Sequence, residues 1–82
     1  MAHDHYHDVA SSLTFHEKTV KMLEHWIKHN QEHAENYHRW AKEIKDNIGE
    51  NISVLLKDAA DLTSAINQKF EEAAKLLKKI EK

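Results

Sequence analysis

From Leu13 to Ile48 the apolar residues of this chain return every three or four positions: Leu13, Val20, Leu23, Ile27, Ala34, Tyr37, Ala41, Ile44 and Ile48. Spacing of that kind gathers side chains along one side of a helix and has no reading as a strand. With Leu13 as heptad position a, the series alternates a and d without a slip. Only His16 and Asn30, both at d, are polar. A single polar residue in such a seam usually fixes register or partner choice. Thr14 and Glu17 make a capping-box pair, each able to satisfy an orphan amide of the other. Asp8 and Ser11 are alternative starts further upstream.

The one glycine, Gly49, stands where this stripe ends. A helix commonly closes there on a left-handed residue, which glycine tolerates best. Asn51 then offers an N-cap for a second helix. Its apolar band runs Ile52, Leu55, Leu56, Ala59, Leu62, Ile66, Phe70, Ala73, Leu76, Leu77 and Ile80, and Lys75, Lys78, Lys79 and Lys82 suit the negative pole of its dipole. The reading is therefore all-α: helix 1 over about 14–48, helix 2 over about 51–81, and an antiparallel helical hairpin over residues 13–82. Residues 1–12 lack periodicity and read as a flexible His-rich arm.

One hairpin covers only one side of each helix. The band on helix 2 is wider than a two-stranded seam requires, and helix 1 carries Trp26 and Trp40 at position g. The economical cover is a second copy, a homodimer pairing into a four-helix bundle. A partner helix from another protein is the competing expectation.

Composition closes off most other classes. There is no Cys and no Pro in 82 residues, which excludes disulfide frameworks, thiolate zinc sites and turn-rich β folds. A lone glycine excludes dinucleotide and phosphate loops. Twelve basic against fourteen acidic residues give a net charge of −2 with neutral histidines, interspersed and without a basic face, so no nucleic acid is expected as partner. The longest apolar run, Val54-Leu55-Leu56, is far too short for a membrane span, and the expected address is cytoplasmic.

The chemistry-bearing residues are eight histidines, all within residues 1–38. The most specific spacing is His25-x₃-His29-x₃-His33, with Glu32 beside it. These side chains fall within about 100° of arc, on a flank roughly 120° from the centre of the apolar stripe. Neighbouring imidazoles at i,i+4 can converge on one ion, but His25 and His33 stand two turns, about 12 Å, apart along the axis. A site would use His25 with His29, or His29 with His33, and complete its shell from Glu32, the arm or another subunit. His29-Asn30-Gln31-Glu32-His33 also matches H-x-x-E-H, the inverted zinc-peptidase pattern. No third ligand or substrate cleft accompanies it, so an enzyme is not expected. His33 lies midway between Trp26 and Trp40 in the g row, which reads as aromatic packing at a helix boundary or as a half-dry pocket at a dimer seam. His38, at e, reads as a surface residue near the seam. In the arm, His3, His5 and His7 alternate with Asp4, Tyr6 and Asp8 and read as a weak metal-capture tail.

The stretch His25-Trp26-Ile27-x-His29-Asn30-x-x-His33-Ala34-x-x-Tyr37-x-x-Trp40-Ala41 resembles small His-rich helical-hairpin domains of unknown function in archaea and bacteria. The likeness covers about residues 20–80. It implies an association with nickel or cobalt handling and marks His25, His29 and His33 as candidates. Taken together, the sequence predicts non-enzymatic binding of a divalent transition metal (Ni, Zn, Co or Cu(II)) by His25, His29, His33 and Glu32, with His3, His5 and His7 as a capture element. No organic cofactor is expected. The alternative is a structural helical protein–protein interaction module whose histidines are incidental, or form a pH-responsive seam.

Overall fold

The structure, a computed structural model, describes residues 14–80. The His-rich arm, Leu13 and Lys82 lie outside the described residues. Two helices, α1 (Phe15–Asn47) and α2 (Glu50–Ile80), pack against each other as a hairpin joined by Ile48 and Gly49, with no strand among the described residues.

Local chemistry accounts for where α1 begins. Thr14 is extended, its Oγ1 accepts from the Glu17 amide at 3.0 Å, and Glu17 Oε1 accepts from the Thr14 amide at 3.0 Å. Both halves of the expected capping box are therefore in place. At the far end the Ile48 and Gly49 amides both donate to Ile44 O, at 2.7 and 2.9 Å. Here the turn departs from the glycine reading. Gly49 does not take a left-handed backbone, and a Cβ built on it meets nothing within 4 Å. The double bond to Ile44 closes the helix without the left-handed residue. Asn51, expected as N-cap, sits inside the first turn of α2, which Glu50 opens.

The second departure concerns which side of α2 faces its neighbour. Along α1 the seam is the expected one, with Leu23, Ala34 and Ala41 buried and Val20, Ile27, Tyr37 and Ile44 half-buried. Along α2 the seam is displaced by one residue from most of the bulky band. Ser53, Ala60, Asn67 and Ala74, seven apart, are the buried residues, interleaved with half-buried Leu56, Thr63, Phe70 and Leu77. Ile52, Leu55, Leu62, Ile66, Leu76 and Ile80 stay exposed.

Small residues at the buried heptad position let the helices approach closely, since the separation of packed helices follows the side chains at the contact. At that range polar side chains reach the opposite backbone. Ser53 Oγ donates to Ala41 O at 2.6 Å, Asn67 Nδ2 to Ile27 O at 2.8 Å, and Asn30 Nδ2 to Asn67 Oδ1 at 3.1 Å. His16 Nε2 lies 2.7 Å from Leu77 O. A carbonyl only accepts, so that nitrogen carries the proton. These four contacts lock one register along the whole hairpin. His16 and Asn30, the polar intruders of the first stripe, are two of their members.

Candidate functional site

Four aromatic side chains climb one side of α1 at intervals of four residues, the spacing that stacks neighbours on a helix surface. His25 and His29 stack with ring centroids 5.9 Å apart and planes 16° off parallel. His29 and His33 meet edge to face at 4.4 Å and 88°, and His33 stacks on Tyr37 at 5.8 Å and 19°. The ladder passes from solvent into the seam: His25 and His29 are exposed, whereas His33 and Tyr37 are half-buried. Tyr37 was legible in the sequence only as a seam residue. Its position four beyond His33 is the signal that ties it to the ladder.

The closest polar approach in this group joins Nε2 of His29 to Nε2 of His33 at 2.9 Å. One of these nitrogens donates and the other accepts, so at least one ring is neutral. Metal–nitrogen bonds of about 2.0–2.1 Å subtending a right angle place two imidazole nitrogens roughly 2.9 Å apart, against roughly 3.3 Å in a tetrahedron. The observed 2.9 Å is that of an ordinary N–H···N hydrogen bond, and it sets the two nitrogens as close together as two ligands of one ion would stand.

The other expected ligands are not gathered with it. Among the described residues no group of three His, Cys, Asp or Glu side chains is assembled that would hold an ion. Glu32 is exposed beside the pair in sequence, and His25 joins the ladder by stacking alone. His3, His5 and His7 belong to the segment outside the described residues. His38 is exposed, 4.0 Å from Asp61 across the hairpin.

Around the pair lies an apolar surface. An antiparallel helix pair has a local twofold axis normal to the plane of the two helix axes. Equivalent heptad positions on the two helices therefore fall on the same broad side. On α1 that side carries Met22, Trp26, His29, His33 and Trp40, with Asn36 and Glu43 as polar members. On α2 it carries Ile52, Leu55, Ala59, Leu62, Ile66, Ala73, Leu76 and Ile80, at steps of three and four broken once by Lys69. The 5.4 Å ring contact between Trp26 and Phe70 spans the two helices along this edge. Trp40 is 60% exposed and Leu62 66%. The two imidazoles thus lie mid-length in a second apolar seam that no described residue covers.

Nothing in the described helices is long and apolar enough to cross a membrane. A family model described as a domain of unknown function (DUF8180) matches residues 19–77, which takes in both seams, the ladder and the turn. No curated protein and no solved structure matches the chain.

Proposed function

The chain belongs to the DUF8180 family of domains of unknown function, and we propose, from its own residues, that it is a non-enzymatic binder of a divalent transition ion. The observation that carries this reading is the 2.9 Å approach of the His29 and His33 Nε2 atoms. For both lone pairs to turn to one ion, the nitrogen that carries the shared proton must first give it up, to its own Nδ1 or to solvent. His29 and His33 are the primary ligands. His25, stacked on His29, is an alternative partner for it through a side-chain rotation. Glu32 serves as a further oxygen ligand or as the acceptor that orients an imidazole. His3, His5 and His7 of the arm would raise the local ion concentration.

Ligand chemistry narrows the ion. Without thiolates the set does not suit Cu(I), and nitrogen with carboxylate suits Ni(II), Co(II), Cu(II) and Zn(II).

Calorimetric titration of tag-free protein with Ni(II) and with Zn(II) tests the proposal. Binding tighter than about 100 µM, lost when His25, His29 and His33 are all changed to Ala, supports it. Weaker binding, or binding unchanged in the triple variant, would sink it.

A second reading has an observation of its own. The exposed side chains Leu55, Leu62, Ile66, Leu76, Trp26 and Trp40 make a face of the kind that marks protein contact. On that reading the hairpin is an interaction module and its assembly is indifferent to metal.

A further inference from the structure

The second apolar seam has a symmetry that selects its occupant. On α2 the residues Ile52, Ala59, Ile66, Ala73 and Ile80, spaced seven apart, read the same in both directions about Ile66. On α1 the two convergent histidines are equidistant from Gln31. Those two centres lie at one level of the hairpin, because Asn30 and Asn67, their immediate neighbours, are hydrogen-bonded to each other at 3.1 Å. A self-complementary contact requires that residue i meet residue j and j meet i about one axis. The His29/His33 pair on α1 and the Ile/Ala row on α2 satisfy that condition about the same level.

Accordingly we infer that the seam is covered by a second copy of this chain, and that the dyad brings together four imidazoles that share one metal ion. The axis lies in the interface and crosses the helices at the level of Gln31 and Ile66. It stacks α1 antiparallel on α1 of the partner and α2 antiparallel on α2. His29 then lies level with the partner's His33, and His33 with the partner's His29. Ile52 meets the partner's Ile80, and Ala59 meets the partner's Ala73. Trp40 lies over the partner's Met22, a sulfur–aromatic contact of ordinary kind. Every neighbouring pair in the resulting bundle is antiparallel.

Two observations favour a second copy over an unrelated helix. Eight large apolar side chains of this seam, from Trp26 to Ile80, are each 40–69% exposed in the single chain, an apolar face of the kind that a partner of ~800 Å² footprint covers. The single chain also presents only half a ligand shell, two nitrogens with no third group gathered among the described residues. The twofold axis supplies the missing half as an identical pair. The shared site rests on the metal reading given above, whereas the dyad rests on the symmetry of the seam.

Sedimentation and Ni(II) titration of the full chain, with three variants, separate the possibilities. Expected are one ion per two chains, a dimer that strengthens with Ni(II) and weakens with chelator, and loss of that response in His29→Ala and in His33→Ala. Circular dichroism should show both variants still helical, since neither imidazole is a buried core group. Trp40→Glu lies two turns from His33 and outside any ligand shell. It should give a helical monomer whose Ni(II) affinity has dropped at least about tenfold, because two of four nitrogens leave with the partner. One ion per chain on a monomer, with affinity unchanged in Trp40→Glu, would overturn the sharing and leave the metal reading standing. A dimer indifferent to chelator and to His33→Ala would overturn the shared site as well. A heteromeric requirement, with the chain monomeric at all concentrations with and without Ni(II), would overturn the dyad. Absence of Ni(II) binding by any form would remove both the metal reading and the shared site.

Discussion

Asn67 shows how much one polar side chain does in this hairpin. It is 5% exposed, donates to Ile27 O and accepts from Asn30. Replacing it with Ala leaves the Asn30 amide short of its acceptor inside a seam, a loss of about 1–3 kcal/mol by the usual cost of an unsatisfied buried group. Urea unfolding of Asn67→Ala should show that loss, and a midpoint unchanged from the parent would contradict the role. Ala60, 0% exposed, makes the opposite case. Ala60→Leu adds three carbons where the helices touch and should cost about 1–3 kcal/mol by overpacking. Legibility in the sequence divided along this line. His16 and Asn30 stood out because they interrupt an apolar series, whereas Ser53 and Asn67 hid among polar neighbours on a helix whose bulkier residues suggested another face.

At the scale of the element, the helices were readable and their facing was only half readable. Three-and-four spacing along α1 coincides with the buried side because that helix has one apolar stripe. α2 has two stripes one residue apart, and hydrophobicity alone ranks the bulkier one first. The hairpin instead closes on the stripe of small and polar residues, since a close approach rewards Ala and Ser and leaves Ile and Leu on the exposed side. The Thr14–Glu17 capping box was legible as one of three candidate starts, beside Asp8 and Ser11, and Thr14→Ala should cost about 1 kcal/mol, read as a lower thermal midpoint. Gly49 was placed at the right junction for a reason the backbone does not bear out. Its φ lies outside the left-handed range and its Cβ direction is open. Gly49→Ala should therefore keep or raise stability, by up to about 1 kcal/mol, through the narrower unfolded ensemble. A drop of that size in the same thermal melt would restore the conformational role.

At the scale of the molecule, the hairpin fully buries no large side chain among the described residues, and domains are stable as two packed layers. Its stability should rise with protein concentration, as mass action requires of a fold completed by association. Leu62→Glu, in the middle of the exposed seam, should abolish that dependence. Melting curves for parent and variant across a hundredfold range of concentration would show it, and a parent curve that does not move would contradict it. On the proposed reading the ion's main nitrogens are those of His29 and His33 at mid-helix. Electron paramagnetic resonance of the protein loaded with substoichiometric Cu(II) tests that claim most directly. The account predicts a tetragonal signal with imidazole nitrogen coupling that collapses in the His29→Ala/His33→Ala double variant. A spectrum that the double variant leaves unchanged would contradict it.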